Sequence, residues 1–227
     1  MVPSKTNQGS IYPAADAEFF RVFMPYEIRL ARRRAMGWGF TPVDSLPPLF
    51  LGIYLLRVVS EGGETLPGPS LVSEGLRDGL LAELRPALRD SDILGSLGEN
   101  EFLAVVRDLD PDQSYVVAQR LISLGHRSEL LRPAGLGVRV GYVIYPLTTQ
   151  PNFPGENWPE LVDLARSVAR RGSRRQGATG FGMLRGTAIG ETNITETDLV
   201  DLASQDIDSL VSAGLVRLQR IHLISGL

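Results

Sequence analysis

The chain has 227 residues, of which 43% are hydrophobic and 22% are charged, and its net charge at pH 7 is −3. This size suits one principal globular domain with extensions, and the slight acidic excess argues against a dedicated nucleic-acid binder, which usually carries a strong basic excess. The chain has no cysteine and only two histidines, so thiol chemistry and disulfides are excluded and zinc sites of the Cys/His type are nearly excluded. A bound metal would have to be a hard ion held by oxygen ligands.

The N-terminal part of the sequence begins with about 17 polar, turn-rich residues, which we expect to be loose. Residues 19–34 are apolar on one side and basic toward the end, which predicts a helix that is interrupted or restarted at Pro25. The apolar run of residues 49–59 is typical of a strand buried on both faces. Leucines at helical spacing then predict a helix over residues 71–88 that packs on the sheet.

A hairpin is predicted in the middle of the chain, over residues 91–106. Two apolar strands flank its tip, Gly-Glu-Asn-Glu, although a turn needs only a residue such as Gly or Asn there. The extra acids therefore favour a functional interpretation. A helix with an Asp-Pro start follows over residues 110–126, and the alternating residues 137–146 predict a strand that ends at a proline.

The C-terminal part is predicted to contain a third helix from Trp158, a short strand over residues 179–184 and an amphipathic helix over 195–214. The whole order predicts an α/β (α+β) fold, with a mixed central sheet flanked by helices and with helical N- and C-terminal extensions. We expect the boundaries of these parts at residues 1–45, 46–184 and 185–227. No apolar run approaches the roughly 20 residues that cross a bilayer, and the N-terminus is unlike a secretory signal, so we expect a cytoplasmic protein without membrane insertion.

This element order, with an acidic hairpin at its centre, resembles the GGDEF domain of diguanylate cyclases. The family signature Gly-Gly-Asp/Glu-Glu-Phe is similar to Gly98-Glu99-Asn100-Glu101-Phe102, with which it agrees at three of five positions. Residues 137–146 are similar to the family's late strand, and residues 161–177 resemble its last helix. The resemblance covers residues 47–182 and depends on the joint order and spacing of the elements.

The resemblance also implies which catalytic features are missing. In active members a signature acid and an Asp at the end of the first strand hold two divalent ions, which activate a 3′-hydroxyl of GTP and neutralise its triphosphate. Here Asn100 replaces the signature acid, Glu99 replaces the second glycine, and Arg57 falls on the position of the Asp. A cation repels metal ions, so we expect an inactive homologue with no catalytic residues, no metal and no cofactor.

A ligand site upstream of the hairpin is a second implication. Arg89-Asp90-Ser91-Asp92 is an Arg-x-x-Asp motif with five residues between its Asp and Gly98, and in GGDEF proteins this motif at this offset is the inhibitory site for intercalated cyclic di-GMP. Arginine presents a planar donor fork to guanine or phosphate, whereas aspartate accepts from guanine N–H groups. A second arginine commonly joins from the helix after the hairpin, and that position falls on Arg120. We therefore expect a non-catalytic cyclic di-GMP receptor that signals to an unidentified protein partner or to a second copy of itself.

Alternatives remain for each of these residues. Arg107-x-x-Asp110 matches the same motif, and an exposed ion pair at a helix end is the alternative for Arg89 and Asp92. For Arg57 we expect an ion-pair or strand-end residue rather than a ligand contact. The alternative function is that of a ligand-free GGDEF-like scaffold or interaction module whose surfaces, including the C-terminal segment, bind a protein. A surviving enzyme with an unusual metal arrangement comes third.

Overall fold

The computed structural model describes residues 15–35, 50–60, 73–98, 100–145, 157–173, 183–186, 196–213 and 216–219. It confirms the predicted α/β fold with a mixed sheet. Six strands form one sheet in the order β2-β3-β1-β4-β5-β6; β4 and β5 are parallel and the other neighbours are antiparallel. The strands are β1 Phe50–Ser60, β2 Ile93–Ser96, β3 Glu101–Leu109, β4 Leu136–Tyr145, β5 Met183–Gly186 and β6 Val216–Leu218.

Helices cover both faces of this sheet, and each face has its own core. The first face packs against helices α1, α4 and α5, and the second packs against α2 and α3. The helices are α1 Ala17–Ala35, α2 Glu74–Leu84, α3 Ser114–Arg127, α4 Trp158–Ser173 and α5 Glu196–Ser212. Among the described residues, no helix is long and apolar enough to cross a membrane.

The central strand β1 explains why the sheet is covered on both sides. Its alternate residues Ile53 and Leu55 enter the core under α1 and α4, whereas Tyr54 and Leu56 enter the core under α2 and α3, and all four are fully buried. A strand of this kind reads as a continuous apolar run because successive side chains point to opposite faces. The prediction of a strand buried on both faces is confirmed.

Helix α1 does not follow the prediction of an interruption at Pro25. It is one continuous helix with Pro25 inside it. Proline removes one backbone hydrogen bond, but Phe20, Met24 and Ile28 lie at four-residue spacing and are fully buried against the sheet. Tertiary packing of this apolar face stabilises the helix across the proline.

Other element boundaries differ from those predicted. Helix α2 begins after its N-cap Ser73 and passes into a 3₁₀ turn over Arg85–Ala87, and residues 71–72 of the predicted helix lie outside the described residues. Strand β5 begins at Met183, while residues 179–182 are likewise not described. Strand β6 was not predicted at all. The boundary predicted between residues 184 and 185 falls within β5, and residues of α5 and β6 share a core with α4.

Two glycines permit close approaches that position neighbouring elements. A Cβ at Gly141 of β4 would lie 2.1 Å from the carbonyl oxygen of Ala165, so glycine lets α4 pack directly on the sheet. A Cβ at Gly95 of β2 would lie equally close to the carbonyl oxygen of Ala15, at 2.1 Å. Ala15 bridges to Gly95 in parallel orientation, and its carbonyl accepts a hydrogen bond of 2.8 Å from the Ser96 N–H.

Candidate functional site

The hairpin between β2 and β3 carries the residues of the predicted signature. Its strands are held by a hydrogen bond of 2.9 Å from the Leu97 N–H to the Glu101 carbonyl oxygen. Gly98 is exposed at the tip, and Phe102 is fully buried in the core under α2 and α3. Glu99 lies outside the described residues. The two matching end positions of the signature therefore serve as a turn residue and a core residue.

Glu101, the acid at the start of β3, is bound by two arginines. It lies directly opposite Arg57 of β1, with 3.8 Å between Glu101 Oε1 and Arg57 Nε. Arg166 of α4 donates from Nε to Glu101 Oε1 at 3.0 Å and from Nη2 to Oε2 at 2.8 Å. The hydrogen bonds that Arg166 donates to Glu101 raise the pKa of the Arg166 guanidinium. The carboxylate is thus already engaged through both oxygens.

Arg57 therefore occupies the place that the resemblance assigns to a metal-binding aspartate, and its side chain forms an ion pair there. Of the alternatives for Arg57, the structure shows the ion pair. A carboxylate held between two guanidinium groups has little remaining attraction for a cation. Over the described ranges, no group of three or more His, Asp or Glu side chains could hold a metal ion.

Arg139 of β4 is a further arginine at this end of the sheet, and it is almost completely buried at 9% exposure. It lies opposite Arg57 in the β1–β4 register, on the side away from Glu101. Burial lowers the pKa of Arg139. Neither Arg139 nor Arg166 was predicted as a site residue. For Arg139 the available signal was an arginine inside the apolar alternation of residues 137–146.

The Arg-x-x-Asp motif forms a loop between α2 and β2 that is closed by the Asp92 carboxylate. Asp92 Oδ2 accepts a hydrogen bond of 2.8 Å from the Arg89 N–H, and Oδ1 accepts one of 3.2 Å from the Arg107 N–H of β3. Asp92 is only 5% exposed. Its carboxylate therefore closes the loop on itself and ties it to the sheet.

Arg85, which was not among the predicted site residues, completes this loop. Its Nη1 donates to the Asp92 carbonyl oxygen and its Nη2 to the Arg89 carbonyl oxygen, each at 2.8 Å. The two motif residues thus share one fixed loop, but their side chains make no ion pair with each other in the part of the chain that the structure describes. Arg89 is exposed and Asp92 is buried.

Arg120, the third predicted ligand residue, lies on α3 and is exposed. Helix α3 packs against the 3₁₀ turn of Arg85–Ala87 that leads into the motif loop. The structure therefore places Arg120 on an element that contacts the base of the loop. Within the described ranges it makes no hydrogen bond or ion pair.

The second match to the motif, Arg107-x-x-Asp110, has a structural role. Arg107 donates from Nε to Glu27 of α1 at 3.0 Å, and its guanidinium lies 5.2 Å from the centre of the Phe23 ring. Beside it, Asp108 pairs with Arg34 of α1. These contacts anchor α1 to the end of β3, so this copy of the motif is used inside the fold.

Comparison with known proteins supports the fold. No family model matches the chain, and no curated protein matches it either. The GGDEF domain of FimX from Pseudomonas aeruginosa is 15% identical over 74% of this chain and 93% of its own, with a TM-score of 0.50. The GGDEF domain of DgcB from Caulobacter crescentus, in complex with c-di-GMP, is 11% identical over 79% and 98% of the two chains, with a TM-score of 0.48. The predicted GGDEF-like fold is confirmed by the first of these.

Proposed function

We propose that this chain, which has the fold of a GGDEF domain, does not cyclise GTP and works instead as a receptor for cyclic di-GMP. The observation that carries the proposal is the pairing of Glu101 with Arg57 and Arg166. Phosphoryl transfer from GTP needs metal ions that activate the attacking hydroxyl and neutralise the triphosphate. At the position where such ions would bind, the acid is already neutralised by guanidinium groups.

Incubation of the purified protein with GTP and Mg²⁺ or Mn²⁺ should give no cyclic di-GMP, measured by chromatography of the nucleotides after long incubation. The physical reason is that Arg57 adds positive charge where a dication would have to bind. An active diguanylate cyclase in the same buffer provides the positive control. Product above the level of a protein-free blank would contradict the loss of catalysis.

The loop of Arg89 and Asp92 supports the receptor part of the proposal. Arg89 is exposed on a loop that Arg85 and Asp92 hold in one conformation, so its fork is presented to solvent from a fixed base. Such a fork suits the guanine edge and the phosphates of a dianionic dinucleotide. Arg120 supplies a second donor from the neighbouring helix. In this arrangement Asp92 acts by holding Arg89 in place, since both its oxygens already accept backbone N–H groups.

Calorimetric titration with cyclic di-GMP tests the receptor directly. We expect heat of binding for the parent protein and at least a tenfold weaker affinity for Arg89→Ala, because about 1.4 kcal/mol corresponds to a factor of ten and charged hydrogen bonds contribute about 1.5–3 kcal/mol. Arg120→Ala should weaken binding in the same direction. Arg132→Ala is the matched control, since Arg132 is exposed on a turn before β4.

An absence of heat in the parent protein, or equal affinities for the parent and Arg89→Ala, would overturn the receptor. The ligand-free interaction module would then be favoured. Two observations already point toward it: the burial of Asp92, and an exposed apolar stripe on α1 formed by Phe19, Val22 and Tyr26. A stripe of this kind suits a protein partner or a second copy of the chain.

A further inference from the structure

Three arginines lie around one end of the sheet: Arg57 is next to Glu101, Arg166 is hydrogen-bonded to Glu101, and Arg139 lies one strand further on. They come from three different elements: Arg57 from β1, Arg139 from β4 and Arg166 from α4. The register places Glu101, Arg57 and Arg139 side by side on neighbouring strands. Adjacent strands are roughly 5 Å apart, so Glu101 on β3 lies about 10 Å from Arg139 on β4. Glu101 therefore pairs with Arg57 and Arg166 and not with Arg139.

Among the residues that the structure describes, the charge of this arginine cluster is incompletely balanced. Arg57 and Arg139 face each other directly across β1 and β4, a pairing of like charges that destabilises a sheet. The buried Nε atoms of both lack a hydrogen-bond partner, and Arg139 makes no ion pair or hydrogen bond in the described ranges. Arginine cannot release its proton to escape this penalty. A buried guanidinium in such a position needs an anion.

We propose that Arg57, Arg139 and Arg166 bind a phosphate-class oxoanion directly, without a metal ion. Among the described residues, the three side chains carry three positive charges against one negative charge on Glu101 and one on Asp163. Arg166 binds both of these carboxylates, and Asp163 is 57% exposed and screened by water. The excess favours an anion. Guanidinium donors that arrive from two strands and a helix approach from several directions, which suits a tetrahedral oxoanion better than a planar carboxylate.

This anion site is separate from the loop of Arg89 and Asp92. Glu101 is the first residue of β3, whereas Arg107, which holds the Asp92 carboxylate, lies six residues further along the strand. At about 3.3 Å per residue, the two places are roughly 20 Å apart. The anion site can therefore be tested independently of cyclic di-GMP binding.

The test is a titration with inorganic phosphate at constant ionic strength, with chloride as the replaced ion. We expect heat of binding and a rise in Tm for the parent protein, and an affinity at least tenfold weaker for Arg139→Gln. Arg132→Gln, which removes an exposed arginine elsewhere, should leave phosphate binding unchanged. Arg139→Gln also removes an unpartnered buried cation, so its Tm without phosphate should equal or exceed that of the parent. If that variant does not fold, Arg57→Gln replaces it, with the same tenfold expectation.

A second titration, with GMP, distinguishes a free phosphate ion from the phosphate group of a nucleotide as the bound anion. Affinity for GMP more than tenfold above that for phosphate identifies the phosphoryl group of a nucleotide, and equal affinity identifies free phosphate; both support the site. The site is refuted if neither compound binds or if Arg139→Gln binds both as the parent does. Loss of phosphate binding in Arg89→Ala would also refute it, by placing the anion on the other loop.

Discussion

Replacement of Asp92 by alanine should lower the free energy of unfolding by about 2–4 kcal/mol. The carboxylate is the acceptor for the N–H groups of Arg89 and Arg107, and a buried donor left without an acceptor costs about 1–3 kcal/mol. Because the two hydrogen bonds close the motif loop and attach it to β3, their loss should also loosen the loop. Urea unfolding followed by circular dichroism measures the change.

Asp90→Ala is the matched control for this prediction. Asp90 is an exposed acid in the same loop, and surface substitutions of this kind usually change stability by less than about 0.5 kcal/mol. Equal stabilities of Asp92→Ala and the parent would show that the Asp92 hydrogen bonds contribute little to the fold. The prediction matters for function, because loss of ligand binding in an Asp92 variant would by itself not separate a ligand contact from a collapsed loop.

Replacement of Glu27 by alanine should destabilise the protein by about 3 kcal/mol. The Glu27 side chain is only 3% exposed and forms a bidentate pair with Arg107, which is 32% exposed. Removal of one partner of a buried pair costs about 3–5 kcal/mol, and the partial solvation of Arg107 puts the value at the lower end. The measurement is again urea unfolding, with hydrogen exchange of the α1 amides as a local readout.

A second ion pair on the same helix provides the control. Glu18 pairs with Arg21 on α1, but both side chains are largely exposed, so Glu18→Ala should change stability by no more than about 1 kcal/mol. A double-mutant cycle that combines Glu27→Ala with Arg107→Ala isolates the coupling between the two groups. Similar losses for Glu18→Ala and Glu27→Ala would mean that the buried pair does not anchor α1.

Local patterns predicted most of the fold. The apolar run of β1 and the spaced leucines of α2, including Leu80 and Leu84, are buried as expected. A strand buried on both faces is apolar throughout, whereas a helix buried on one face is apolar at a spacing of three to four residues. Strand β6 was missed because three residues carry too little periodicity. The continuity of α1 through Pro25 was missed because it depends on packing against a sheet formed later in the chain.

The candidate site was harder to predict because its contacts join distant parts of the chain. Spacing located the loop of Arg89 and Asp92, but the burial of Asp92 depends on Arg107, fifteen positions later. The pairing of Glu101 with Arg166 spans 65 positions. Counting along β1 assigned Arg57 to the position of the family's metal-binding aspartate. Its pairing with Glu101 comes from the β1–β3 register, which joins strands more than 40 residues apart in sequence and could not be read from local spacing.

The contact between Ala15 and the outermost strand β2 also bears on how the protein behaves at high concentration. An open strand at the border of a sheet offers free N–H and C=O groups to any other chain, which is a common route to aggregation and amyloid-like stacking. Here the Ser96 N–H already donates a hydrogen bond to the carbonyl oxygen of Ala15 in the same chain. Ala15, two residues before the first helix, thus protects this strand edge from pairing with other chains, although the strand itself contains no charged residue or proline.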